Sequence, residues 1–149
     1  MRIGIIGAGL AGLTAARGLA EVGHAVVVFD KARGPGGRMS TRRTETAQGM
    51  AFFDHGAQYF TVRDAGFAET VAHWEGEGVA ARWPAAGDEA WVGAPGMNAI
   101  IKAEAAGHDV RWNCRIEAFV REGAQWRFEH ESGSESFDAA GVAGPAGKG

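Results

Sequence analysis

Arg2-Ile3-Gly4-Ile5-Ile6-Gly7-Ala8-Gly9-Leu10-Ala11-Gly12 is the stretch that decides the fold. The apolar run from Arg2 to Ile6 predicts a short buried strand. Gly7, Gly9 and Gly12 then form G-x-G-x-x-G. Leu10, Leu13, Ala16 and Ala20 follow at helical spacing, with Leu19 and Val22 beside them, and Gly23 suits a helix stop. Ala25 to Phe29 predicts a second strand, and it ends in Asp30. The order is strand, glycine turn, helix, strand, acid. That acid comes at about the expected spacing of ~20 residues after the glycines.

Each part answers a physical demand of a dinucleotide. Gly7 permits the tight turn out of the strand, Gly9 lets backbone approach a pyrophosphate, and Gly12 lets helix and sheet pack closely. The helix N-terminus turns unpaired N–H groups and the positive end of its dipole towards phosphate. Asp30 can accept hydrogen bonds from a ribose diol. The alternative is a purely structural glycine turn.

Composition sets the bounds around this unit. The chain has 149 residues, room for one domain with at most a small appendage. Net charge is −3, which gives no global sign of a nucleic-acid or membrane-surface protein. Alanine supplies 29 residues and leucine only 3, so the 46% hydrophobic content overstates the bulky core. Glycine is in excess at 24, without the strict period of collagen. The single Cys114 excludes an intramolecular disulfide, and it reads as a small buried hydrophobe or a reactive thiol. The apolar N-terminal stretch is broken by Arg17 and is too short to span a bilayer. A cytoplasmic location is expected, with no membrane partner.

A basic, glycine-rich loop, Lys31-Ala32-Arg33-Gly34-Pro35-Gly36-Gly37-Arg38-Met39-Ser40-Thr41-Arg42-Arg43, follows the acid, where a dehydrogenase would continue into a helix. Gly36-Gly37-Arg38 can offer backbone N–H groups and a guanidinium to the same pyrophosphate. The rest of the chain lacks a basic stripe, so nucleic acid is not expected. Then comes Phe53-Asp54-His55-Gly56-Ala57-Gln58-Tyr59-Phe60-Thr61.

Together, the glycine turn, the acid and G-G-R resemble the flavin amine oxidase superfamily. The D-x-G-A-Q-Y-F-T run, with G-G-R-M-S-T before it, resembles its renalase-like FAD-dependent oxidoreductases. The resemblance implies FAD contacts at Gly7, Gly9, Ala11 and Gly12 in the phosphate turn. It implies Asp30 at the ribose, with Lys31 beside it, and Gly37 and Arg38 at the pyrophosphate and flavin-side loop. Gln58 and Tyr59 fall near the isoalloxazine, and the backbone of Ile116 at the adenine. From spacing alone, Ile116 and Tyr59 are equally ordinary core residues. The implied reaction passes hydride from a reduced substrate, a misreduced NAD(P)H isomer or an amine, to FAD, which O2 reoxidises. No catalytic acid or base is assigned, and oligomeric state is left open.

The remaining segments alternate. A helix is expected over about 64–75, capped by Asp64, with Phe67, Val71 and Trp74 facing a core and His73 facing solvent. Strands are expected at Val79–Trp83 and Glu89–Val92, with Trp83 and Trp91 as pocket or core aromatics. A helix then carries Met97, Ile100, Ile101 and Ala105. Val110–Trp112, Arg115–Arg121, Gln125–Glu131 and Glu135–Asp138 read as strands, the last three a meander placing Trp126, Phe128 and His130 on one face. The final eleven residues hold four Ala, four Gly and one Pro, and 140–144 make a poor strand by propensity. The resemblance is expected to decay there.

The expected fold is α/β: a Rossmann-like FAD/NAD(P)-binding fold with a βαβ N-terminal unit and an inserted antiparallel β segment, truncated relative to the family. Residues 1–62 form the FAD-binding unit and pyrophosphate loop, 63–107 a partial substrate-side region, 108–138 the meander and 139–149 a Gly/Ala-rich tail. The five histidines show no ligand spacing, so no metal is expected. The alternatives are a nucleotide-binding remnant without turnover and an NAD-dependent dehydrogenase module.

Overall fold

The computed structural model describes residues 1–144. In chain order the first elements are β1 (Arg2–Ile6), α1 (Leu10–Glu21), β2 (Ala25–Phe29), β3 (Thr41–Thr46), β4 (Gly49–Asp54) and β5 (Phe60–Thr61). Then come α2 (Ala65–Gly76), β6 (Ala80–Arg82), β7 (Ala90–Gly93), α3 (Asn98–Ala106) and β8 (Asp109–Arg111). The last are β9 (Ile116–Glu122), β10 (Gln125–His130), β11 (Gly133–Phe137) and β12 (Ala139–Val142). The chain divides into two compact units, residues 1–35 with 104 onward, and residues 36–103.

The first unit is built on a parallel sheet of order β12-β1-β2-β8. β1 lies between β2 and β12, in register Ile3↔Val26 and Ile3↔Ala139. Ile3, Ile5 and Val28 are buried, as are Leu13 and Ala16 of α1. β9, β10 and β11 form the antiparallel meander between β8 and β12. Its Phe128 and Phe137, both fully buried, pack with Val27 and Phe29 of β2, and Trp126 joins them. Gly4 is the seat of this contact, for a methyl there would come within 2.7 Å of the Phe128 ring and 2.8 Å of Phe137.

The C-terminal segment corrects its sequence reading. Ala139–Val142 is a strand, paired parallel to β1 through Val142. Small residues fit because the sheet position is set by neighbours: Gly141 packs against Ile5, and Ala140 joins the Phe29–Phe128 cluster. Packing overrides propensity here. The part of the tail beyond Gly144 lies outside the described residues.

The second unit holds α2, capped as expected: the Asp64 carboxylate accepts from Phe67 N–H at 2.8 Å. Phe60, Phe67 and Trp74 form an aromatic triad with ring centroids 5.9–6.2 Å apart. Val71 and Trp74 are buried and His73 is exposed, matching the stripe in the sequence. β5, β7 and β6 make a small antiparallel sheet. β3 and β4 make a hairpin that periodicity did not reveal, paired from Thr41↔Asp54 to Thr46↔Gly49. Both of its faces carry polar and exposed residues, so neither alternation nor an apolar run marks it.

Candidate functional site

The sheet order creates a crevice at its centre. From β1 the chain adds β2 and then β8 on one side, and it returns to β12 on the other. In open parallel sheets a ligand binds outside the carboxyl ends of the strands where the order reverses. Here that point lies between β1 and β12, at Gly7 and Ala143. Ala143 N–H donates to Ile6 carbonyl oxygen at 2.8 Å, and Gly7 N–H donates to Phe29 carbonyl oxygen at 2.7 Å.

The three glycines of the turn differ in what demands them. Gly7 has φ +108°, which favours glycine. A methyl at Gly12 would collide with the Gly7 carbonyl oxygen. Gly9 has ordinary extended backbone, and a methyl there would meet nothing within 4 Å. No contact among the described residues explains Gly9, whereas a ligand pressed against the turn would. Gly9 is also the N-cap of α1, and no side chain caps that helix. The N–H groups of its first turn, Ala11 included, are therefore the kind that an anion satisfies. These residues fit a dinucleotide pyrophosphate.

Asp30 stands at the end of β2, half-buried, and both carboxylate oxygens are engaged. Oδ2 accepts from Ala8 N–H at 2.7 Å and Oδ1 from Ala32 N–H at 2.8 Å. The acid thus ties the glycine turn to the chain after β2. Each oxygen keeps a second lone pair for a ribose hydroxyl. Asp30 N–H donates to Arg111 carbonyl oxygen at 3.0 Å, and Cys114 N–H to Asp30 carbonyl oxygen at 2.9 Å.

Beside Asp30 a cleft of about 820 Å³ opens, lined by Phe29, Lys31, the 110–115 segment and the ends of β10 and β11. Its size lies within the ~300–1,000 Å³ common for ligand sites. Lys31 is exposed on its wall. Ile116 sends its side chain into the Phe29–Phe128 cluster, while Arg115 and Glu117 on either side line the cleft. Burial raises the Cys114 thiol pKa, which argues against a ready thiolate. Asp109 is held below the usual carboxylate range by its hydrogen bond from Arg111 at 2.7 Å.

In the second unit, Gly37–Met39 form a short 3₁₀ turn with Arg38 exposed. The Arg38 carbonyl oxygen accepts from Ala57 N–H at 2.8 Å, and a methyl at Gly56 would collide with that oxygen. His55 N–H donates to Ser40 carbonyl oxygen at 2.9 Å. The D-x-G-A segment is therefore fastened to the G-G-R turn by backbone. Arg38 has no side-chain partner among the described residues. Gln58 and Tyr59 are exposed, and the Tyr59 ring meets Trp83 edge-on at 5.9 Å. Trp91 is buried under the Arg82 guanidinium and borders a shallow cleft, one that Trp83 does not line.

Sequence reasoning gave Asp54 no role. Its Oδ1 accepts from Thr41 Oγ1 at 2.7 Å and from Met97 N–H at 2.9 Å, and Asn98 N–H reaches Thr41 Oγ1 at 3.2 Å. Asp54 and Thr41 together cap α3 from a distant part of the chain, a pairing that no local spacing announces. No cluster able to hold a metal is found among the described residues. No helix among them is long and apolar enough to cross a membrane.

Comparison with known proteins agrees with this architecture. The family model for an NAD(P)-binding Rossmann-like domain matches residues 5–73. Among solved structures, the chain is similar to a protein from Exiguobacterium sp. 255-15 provisionally assigned as a protoporphyrinogen oxidase. That match has TM-score 0.77 and 9% identity, over 97% of this chain and 59% of that one. CtdE in complex with FAD matches at TM-score 0.62 and 18% identity, over 96% of this chain and 38% of CtdE. The tetracycline destructase Tet(51) matches at TM-score 0.64 and 14% identity, over 95% and 38%. At these identities the likeness is one of fold, and the chain spans 59% or less of each of these proteins.

Proposed function

We propose that the chain binds FAD and forms part of a renalase-like FAD-dependent oxidoreductase acting on a reduced nicotinamide or an amine. One observation carries the binding: the crevice at the sheet's switch point, where Gly9 is kept bare though none of the described residues approaches it. The fold shared with CtdE, solved with FAD, and the G-G-R and D-H-G-A-Q-Y-F segments favour FAD over NAD. The match to an NAD(P)-binding domain model is compatible with either dinucleotide.

Within this reading Gly7, Gly9, Ala11 and Gly12 hold the pyrophosphate. Asp30 and Lys31 hold the ribose, and the Ile116 backbone lies at the adenine. The family pattern assigns Gly37 and Arg38 to the pyrophosphate and flavin-side loop, and Gln58 and Tyr59 to the isoalloxazine. Bound flavin supplies hydride acceptance and reoxidation by O2. The chain's own part is to bind and orient, since none of these residues is placed as an acid or base. A soluble, cytoplasmic enzyme accords with the single cysteine.

A second reading, FAD binding without turnover, is favoured by the partial span against the matched structures. The deciding experiment is to purify the chain, record flavin absorbance, identify the nucleotide released on denaturation and assay peroxide formation with reduced nicotinamide isomers and amines. FAD with turnover supports the oxidase, and FAD without turnover supports the second reading. Release of NAD in place of FAD overturns both.

A further inference from the structure

Asn113 is the one non-glycine residue among those described with positive φ, at +53°. Two hydrogen bonds hold it there: its N–H donates to Ala32 carbonyl oxygen at 2.8 Å, and the next N–H, that of Cys114, reaches Asp30 carbonyl oxygen at 2.9 Å. The 113–114 backbone thus brackets the end of β2. A glycine would serve this bracket equally well, the left-handed region being one that glycine and asparagine both visit. Asn113 lines the 820 Å³ cleft and is exposed there, and its side-chain amide has no partner among the described residues. An amide offers one acceptor and two donors on one plane.

With phosphates at the N-terminus of α1 and ribose at Asp30, the part of a dinucleotide left for this cleft is its base. Phe29 and His130 line the same wall, their rings 6.0 Å apart and inclined by 33°, with the Phe29 ring itself buried in the core behind it. Adenine presents an exocyclic amine donor beside a ring-nitrogen acceptor, which is the complement of a carboxamide. We propose that Asn113 selects adenine in this cleft, reading the exocyclic amine with its carbonyl oxygen and the adjacent ring nitrogen with its NH2. The proposal rests on the FAD reading above and adds to it a specificity residue on the nucleobase.

The test compares ADP with purine riboside 5′-diphosphate, the same nucleotide without the exocyclic amine. Affinities are measured by calorimetry on the full chain. The native chain is expected to favour ADP by about tenfold, the scale of a paired amide–adenine contact. In Asn113→Gly, which suits the backbone, the two affinities should converge while the melting temperature holds. Asn113→Asp keeps an acceptor for the amine and should keep a preference for ADP. An unchanged ratio in Asn113→Gly, with ADP still bound, overturns the assignment and leaves the FAD reading intact. Absence of ADP binding by the native chain overturns both.

Discussion

A methyl group placed on Gly12 would collide with the Gly7 carbonyl oxygen, and one placed on Gly9 would meet open space. Gly12→Ala should therefore destabilise the chain by about 1–3 kcal/mol through overpacking against backbone, read in urea denaturation. Gly9→Ala should leave stability within about 0.5 kcal/mol, yet weaken FAD binding at least about tenfold in a flavin-fluorescence titration. Full affinity in Gly9→Ala would show that no ligand approaches this turn. The glycines were legible because their spacing states a backbone demand directly. Asp30 was legible in place: its spacing from the glycines reads as a ribose acceptor, whereas its bonds to Ala8 and Ala32, which spacing does not announce, show it fixing the turn. Asp54 was not legible, since its partners Thr41 and Met97 are distant in sequence and lie on other elements.

At the scale of elements, β1, α1 and β2 follow the sequence closely, because buried apolar runs and a helical stripe report local geometry. β12 was hidden by its composition, for its place in the sheet comes from pairing with β1 and not from β-branched side chains. Gly141 sits there with a methyl's nearest neighbour, Ile5 Cγ1, at an ordinary 3.7 Å. Gly141→Ala is thus expected to stabilise by about 0.5 kcal/mol, by restricting the unfolded chain, in the same urea experiment. The hairpin of β3 and β4 was hidden for another reason: Phe52 and Phe53 are neighbours on opposite faces and both are exposed, so no single apolar face forms. Its end is anchored where Asp54 caps α3. Asp54→Ala should cost about 1 kcal/mol, seen as a lower thermal midpoint, as expected for the loss of an N-cap.

Over the whole molecule, acidity acts at the place where distant segments meet. The Asp138 carboxylate is held below the usual carboxylate range, chiefly by the Arg2 N–H at 2.7 Å and then by the Gln125 amide. A depressed folded-state pKa stabilises at neutral pH and loses that effect as pH falls through it, beginning near the unfolded value of about 3.9. Stability should fall below about pH 4, and Asp138→Asn should fall less steeply when denaturation midpoints at pH 7 and pH 3 are compared. Equal slopes would remove this carboxylate from the acid response. The same junction has a kinetic meaning. Arg2 and Asp138 stand 136 residues apart, and the strand beyond Asp138 lines one side of the crevice beside Gly7. Loop-closure entropy must be met before so distant a contact gives anything back. On the ribosome, β1, α1 and β2 emerge first, but β1 waits for its second neighbour until residues 139–142 have been made. The crevice beside Gly7 is then completed only once β12 has been made, and until that point one edge of β1 stays unpaired.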